Sequence, residues 1–224
     1  TTPRLILDNS IRISLSNNDA GGTAGKDSTT GNTLFGYGAG GTIDANTINN
    51  TFIGHGSGDG SKSDAQGNTG LGTYSLNSLT AGDSNVAVGY LALEDLTSGV
   101  ANVAVGQQAG GDLTTTGATH NVIVGTQALY RATTGAGYNV AIGSYAMGGN
   151  FTTANVDSCV AIGYEALNGT LTTDATGTVA VGQRAAKAIT SGAGNTAIGF
   201  KALTAETAGD HNTAGGYEAL TTHT

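Results

Sequence analysis

The 224-residue sequence contains no tryptophan, one proline and one cysteine, and only 11% of its residues are charged. A single cysteine excludes an intrachain disulfide framework. The eight Lys and Arg residues are scattered along a chain of formal net charge −8, which argues against a surface for nucleic acid or anionic membranes. No apolar run is long enough to span a bilayer. The sequence therefore predicts neither nucleic-acid binding nor membrane insertion.

Glycine is abundant instead, with 38 residues, and much of it belongs to a repeated motif. The motif, exemplified by NVAVGYLAL at residues 85–93, occurs eleven times at steps of 17 to 20 residues. Its glycine, which we call the anchor glycine, falls at Gly36, Gly54, Gly72, Gly89, Gly106, Gly125, Gly143, Gly163, Gly182, Gly199 and Gly216. Four residues earlier an asparagine occurs in nine copies: Asn32, Asn50, Asn68, Asn85, Asn102, Asn121, Asn139, Asn195 and Asn212. Such a period is typical of a solenoid.

Each copy is too short for a strand plus a crossover helix, so we expect two short strands and two turns per rung. The sequence predicts an all-β, elongated β-solenoid of eleven rungs over residues 31–224. Residues 1–30 lie outside the repeat, and we expect short strands at residues 5–7 and 11–15 that form a cap or a junction.

Side chains alternate between the two faces of a strand. The second and fourth positions of the motif are mostly Val, Thr or Ile, as in Val86 and Val88, and we expect them to point into the rung. The middle position is Ala in seven copies, as in Ala87, and we expect it to pack against a neighbouring chain. The asparagine column is predicted to form a ladder of stacked side-chain amides that satisfies the backbone of a turn.

The copies at residues 50–58 (NTFIGHGSG) and 195–203 (NTAIGFKAL) resemble the Asn-Thr-x-Ile-Gly-Tyr-x-Ala repeats of bacteriophage tail-fibre proteins. They are more distantly similar to the head repeats of YadA-like trimeric autotransporter adhesins. This resemblance covers about 190 of the 224 residues. It implies a left-handed β-roll or β-helix, a parallel homotrimer with alanine-rich faces at the three-fold axis, and attachment to a host surface. The implied location is the virion tail fibre, with a bacterial cell surface as the alternative.

The residue after the anchor glycine forms a candidate binding stripe, which we call the flank stripe. Its aromatic and amide members include Tyr90, Gln107, Tyr164, Gln183, Phe200 and Tyr217. Planar rings and amides are used by sugar-binding surfaces, because rings stack on sugars and amides bond to hydroxyls. The simpler interpretation is that these side chains only cover the turn and the edge of the rod.

A catalytic alternative would need two carboxylates close together. Glu165 and Glu218 share a column but lie three rungs apart, about 14 Å at ~4.8 Å per strand, which exceeds the spacing of a glycosidase pair. Arg184 and Lys201 lie between them, so the sequence predicts the ion pairs Glu165–Arg184 and Lys201–Glu218. A depolymerase with a site between chains remains the enzymatic alternative, and a threonine-rich ice-binding solenoid is a third.

The remaining reactive side chains favour structural roles. We expect Cys159, which replaces asparagine in one copy, to be a buried and inert thiol. His55, His120, His211 and His223 lie on separate rungs, so one chain does not bring them to one metal. The loop at residues 58–64 (GDGSKSD) has some character of a Ca²⁺ loop but lacks the nonapeptide pattern of calcium rolls. The sequence thus predicts no catalytic residue, metal or cofactor, and a homotrimer that binds a glycan or protein receptor.

Overall fold

The computed structural model describes residues 31–221, except residues 45, 115–117, 133–135, 152–155 and 172–174. The strands predicted at residues 5–7 and 11–15, the junction segment and His223 lie outside the described residues.

Eleven three-residue strands form one parallel sheet in sequence order. They are β1 (Thr33–Phe35), β2 (Thr51–Ile53), β3 (Thr69–Leu71), β4 (Val86–Val88), β5 (Val103–Val105), β6 (Val122–Val124), β7 (Val140–Ile142), β8 (Val160–Ile162), β9 (Val179–Val181), β10 (Thr196–Ile198) and β11 (Thr213–Gly215). Each strand pairs in register with the equivalent strand of the next copy, so that Val86, for example, faces Val103. The described residues contain no α-helix. The predicted all-β, parallel β-solenoid with one repeat per rung is therefore confirmed.

The prediction of two strands per rung is wrong, because the second half of each copy folds as turns. The anchor glycines have φ values between 123° and 137°, a region that disfavours any residue with a Cβ. A Cβ on Gly89 would also lie 2.5 Å from the carbonyl oxygen of Gly106 in the next rung. The second and fourth residues after the glycine are left-handed, as in Leu91 (φ 58°) and Leu93 (φ 50°). This alternation turns the chain without forming a strand.

Hydrogen bonding between rungs continues through these turns. The N–H of Leu93 donates to the carbonyl of Ala109 at 3.0 Å, and that of Asp95 donates to Gly111 at 3.0 Å. Each backbone turn is therefore stacked on its equivalent in the next rung. This stacking satisfies backbone groups that a buried turn would otherwise leave without partners.

The predicted orientation of the strand faces is also wrong. The middle residue of each strand points inward, and Ala87 and Ala104 are completely buried. The flanking residues point outward, with Val103 at 36% and Val105 at 38% exposure. The reason is the thinness of the rung: a Cβ on Gly70, a middle residue, would lie 2.7 Å from Ser57 Oγ in the returning half. Such a narrow interior accepts Ala in this column, and the larger β-branched side chains occupy the outer face.

Where a large residue replaces alanine at the middle position of a strand, a smaller residue occurs at a neighbouring core position. Where the middle residue is Phe52, the fourth residue after the anchor is Gly58 instead of leucine, and a Cβ there would lie 2.7 Å from the ring. Ile123 is likewise accommodated by Gly110, whose Cβ would lie 3.0 Å from Ile123 Cδ1. Large and small residues thus exchange places at nearly constant volume, as close packing requires.

Candidate interaction surfaces

The outer side of the sheet is an uncharged and mostly apolar surface, which we call the strand face; its polar residues are the threonines that begin five of the strands. It consists of the first and third residues of all eleven strands. Phe35 is 58% exposed, Leu71 46% and Ile198 51%, although all three are large apolar side chains. At ~4.8 Å per strand the face is about 48 Å long. Continuous exposed apolar surfaces of this kind mark interaction sites.

The flank stripe borders the strand face, because it follows the anchor glycine that ends each strand. Tyr90 is 50% exposed, Tyr164 42% and Tyr217 75%. Inter-rung bonds align the column: the amides of Arg184, Lys201 and Glu218 donate to the carbonyls of Tyr164, Gln183 and Phe200. The six predicted residues form two groups, since Thr126 and Ser144 separate Tyr90 and Gln107 from the other four. The Phe200 and Tyr217 rings stack at 5.1 Å with an interplanar angle of 15°.

Two further aromatic clusters were not predicted as sites. His55 stacks on Tyr37 at 5.3 Å, and its Nε2 lies 3.1 Å from the hydroxyl of Tyr74. His120 stacks on Tyr138 at 5.1 Å with an angle of 6°. Tyr74 and Tyr138 lie outside the column after the anchor glycine, so a search of that column alone misses them. Both clusters nevertheless arise from one rule, because aromatic residues at neighbouring positions of successive rungs are brought into contact.

The predicted ion pairs are confirmed, and one of them has a third member. Arg184 Nε donates to Glu165 Oε2 at 2.8 Å, and Lys201 Nζ lies 3.5 Å from Glu218 Oε1. Lys187 Nζ also donates to Glu165 Oε2, at 2.7 Å. The hydrogen bond from Lys187, together with Arg184, lowers the pKa of Glu165. Glu165 is therefore a paired carboxylate, which differs from the protonated acid of a glycosidase pair.

The predicted asparagine ladder is present. Asn85 Nδ2 donates to Asn68 Oδ1 at 3.0 Å and to the carbonyl of Gly99 at 2.7 Å. Its own Oδ1 accepts from the backbone and side chain of Asn102, both at 3.0 Å. Equivalent bonds link the buried side chains from Asn32 to Asn139. These asparagines stabilise the turn before each strand and are not accessible to a ligand.

Cys159 interrupts this ladder and is buried, as predicted. Its Sγ lies 3.3 Å from the carbonyl of Ala175, and burial raises the pKa of the thiol to about 11. Because the thiolate is the nucleophilic form, the protonated thiol is unreactive at neutral pH. This agrees with the predicted inert role.

The loop at residues 58–64 directs its carbonyl oxygens at an ammonium group. Lys62 is 4% exposed, and its Nζ donates to the carbonyls of Gly58 and Gly60. The same nitrogen lies 5.1 Å from the centroid of the Phe52 ring. Burial lowers the pKa of Lys62 to about 8, and Asp59 opposes this shift. The buried lysine therefore holds this loop together, whereas the sequence favoured a solvated turn over a calcium loop.

Across the described parts of residues 31–221, no group of three His, Cys, Asp or Glu side chains has metal-binding geometry. Within the same residues, no helix has the length and apolarity needed to cross a membrane. Comparisons of the chain with protein-family models, with curated proteins and with solved structures found no match.

Proposed function

We propose that this chain is a non-enzymatic structural and host-attachment module of a phage tail fibre. In this proposal the solenoid is left-handed, three copies assemble as a parallel homotrimer, and the rod presents surface loops to a bacterial glycan or protein receptor. The virion location and the three-fold symmetry rest on the sequence resemblance. The head of a bacterial surface adhesin is the alternative for the same architecture.

The observation that carries the assembly is the strand face. A face that combines Val103, Val105 and Val122 with no charged residue is unfavourable in water, because exposed apolar area costs ~25 cal/mol per Å². In a second copy the same face repeats at the same rung spacing. Parallel copies therefore align apolar residues with apolar residues in the middle of the rod, and threonines with threonines near its two ends. In this proposal the outward β-branched residues lie at the three-fold axis, where the resemblance implies alanine.

Light scattering coupled to size exclusion tests the assembly, with a trimer as the expected result. Substitutions Val105→Lys and Val122→Lys place charges in the middle of the strand face and should dissociate it, because buried unpaired charge is strongly unfavourable. Gln107→Lys adds the same charge on the exposed flank stripe and should leave the trimer intact. A wild-type monomer that remains soluble and folded at high concentration would refute the assembly.

Attachment is tested separately, by measuring retention of the purified rod on bacterial cells before and after enzymatic removal of surface polysaccharide. If the trimer binds no bacterial surface, the attachment role is refuted and only the structural role of the rod is retained. The depolymerase alternative predicts release of reducing sugar and its loss in Glu165→Gln. We expect no release, since Glu165 already accepts hydrogen bonds from two cations.

A further inference from the structure

A positive cluster borders the flank stripe at β9–β11, although the chain as a whole is acidic. Of the five Lys and Arg residues in the described part of the chain, three lie here: Arg184, Lys187 and Lys201. Their side chains are 38%, 37% and 36% exposed. Arg184 and Lys201 occupy the column next to Gln183 and Phe200. We give the name arginine patch to the set formed by Arg184, Lys187, Lys201, Gln183, Phe200 and Tyr217.

The arginine patch has more cationic side chains than carboxylates to neutralise them. One oxygen of Glu165 accepts from both Arg184 and Lys187, so two cations share a single carboxylate. Glu218 lies 3.5 Å from Lys201, a longer contact than the other two, and is itself 41% exposed. Three cations thus face two carboxylates, and the surplus charge is accessible to solvent.

Arg184 also retains its most selective donors. Only its Nε is engaged with Glu165, at 2.8 Å. Its two terminal nitrogens donate no hydrogen bond to any residue in the part of the chain that the structure describes. A guanidinium binds a carboxylate through a pair of such donors in a planar fork. Arg184 is therefore oriented by Glu165 and still able to bind a second carboxylate.

An apolar platform occupies the two rungs that follow the rung of Arg184. The Phe200 and Tyr217 rings stack at 5.1 Å, and Lys201 Nζ lies 5.1 Å from the Phe200 centroid. Gln183 precedes Phe200 in the same column and is exposed. Aromatic rings bind the apolar face of a pyranose, amides bond to its hydroxyls, and the cations supply a site for its charge.

From this juxtaposition we propose that the arginine patch binds carboxylate-bearing saccharides of the uronic or sialic acid type. Arg184 and Lys201 would bind the carboxylate, Phe200 and Tyr217 the sugar ring, and Gln183 a hydroxyl group. This inference rests on the proposed attachment function and names its ligand class. An acidic peptide offers the same charge without a ring, so the aromatic pair favours the saccharide.

Calorimetric titration of the full chain tests the ligand class with matched probes. The acids are trigalacturonate and a sialic acid trisaccharide, each compared with its uncharged methyl ester and with an acetylated triglutamate amide. We expect an acid to bind at least tenfold more tightly than its ester and the peptide. Equal binding of the ester would remove the role of charge, and equal binding of the peptide would remove the role of the sugar ring. Binding of neither acid would overturn the inference.

Variants then locate the site. Arg184→Gln should weaken binding about 10- to 100-fold, as expected for loss of a charge-assisted pair of hydrogen bonds. Arg131→Gln removes an exposed arginine on another rung and should leave the affinity unchanged. Glu165→Gln keeps an oxygen that can accept from Arg184 Nε and so orient the guanidinium, but it removes the competing negative charge and should therefore strengthen binding. Phe200→Leu keeps an apolar side chain but removes the ring and should weaken binding. Weakening by Glu165→Gln would contradict the site as drawn.

Cell adhesion and saccharide binding are measured separately. A trimer that adheres to cells but ignores both acids would leave the attachment role in place and remove only this ligand class. Absence of both adhesion and saccharide binding would remove both.

Discussion

The asparagine ladder permits a prediction with a magnitude drawn from individual hydrogen bonds. The Asn102 side chain makes four of them. Its Nδ2 donates to Asn85 Oδ1 at 3.0 Å and to the carbonyl of Ala118 at 2.8 Å. Its Oδ1 accepts from the Asn121 backbone at 3.1 Å and from the Asn121 side chain at 2.8 Å. Substitution Asn102→Ala removes all four.

The loss depends on which partners keep another bond. Asn85 Oδ1 still accepts from the Asn102 backbone, and the carbonyl of Ala118 still accepts from Val100. The Asn121 side chain still donates to the carbonyl of Ala136. Only the backbone N–H of Asn121 is left buried without an acceptor, at about 1–3 kcal/mol, and the other three bonds contribute about 0.5–1 kcal/mol each. We therefore expect Asn102→Ala to lower the free energy of unfolding by about 4 kcal/mol.

Urea unfolding at fixed protein concentration measures this loss. Asn77→Ala is the matched control, because Asn77 makes a single hydrogen bond of 3.3 Å to the carbonyl of Gly56. We expect a change of at most ~1 kcal/mol in the control. Hydrogen exchange should also accelerate at the Asn121 amide in Asn102→Ala. If both variants lost the same small amount, the ladder would not be a source of stability and the reasoning would be refuted.

Gly110→Leu should destabilise by about 1–3 kcal/mol through overpacking, and adding Ile123→Ala should recover most of the loss, which a double-mutant cycle in urea measures. The folded-state pKa of Lys62, about 8, lies below its ordinary value of 10.5. The unfolded chain therefore binds more protons between these values, so stability should rise with pH across that window and fall as pH drops through 8. Melting curves of Lys62→Met should lack this rise, and an equal rise would contradict the assignment. Cys159→Asn should stabilise by about 1 kcal/mol, since an amide oxygen would replace the sulfur that faces the N–H of Thr178; a lower urea midpoint would contradict it.

Recurrence of the motif was sufficient to predict the architecture. Eleven copies at nearly constant spacing determine the number of rungs, the parallel pairing and the register, since equivalent residues must stack. The asparagine ladder and the Glu165–Arg184 pair follow from the same stacking. The spacing of the copies did not reveal the backbone conformation in the second half of each repeat. Left-handed residues such as Leu91 and Leu93 are uncommon without glycine, and nothing in their side chains signals that conformation.

The prediction of which strand residues point inward was wrong because it considered the hydrophobicity of the side chains and not their volume. Val86 and Val88 are more apolar than Ala87, which suggested that they were inside. The space inside the rung determines which residues point inward, and the residue sizes in the sequence reflect that space. Where the middle residue is Phe52 or Ile123, a leucine elsewhere in the core is replaced by glycine. Such an exchange is expected only of residues that share one interior. Comparing volumes between columns would therefore have identified the inward face.

The corrected orientation changes what the alternation Val-Ala-Val implies. In an antiparallel sheet with one wet face, a strand alternates apolar and polar residues, whereas parallel strands covered on both sides are apolar throughout. Every Val-Ala-Val strand here is apolar throughout, which is the pattern of a parallel strand that is covered on both sides. Its inner side is covered by the returning half of the rung, through Ala92 and Leu93. Its outer side, including Val103 and Val105, is covered by none of the residues that the structure describes. No charged residue occurs on this outer side along the eleven strands, and its only polar residues are the threonines that begin β1–β3, β10 and β11. In the assembly that we propose, another copy of the rod supplies a cover of the same length and period.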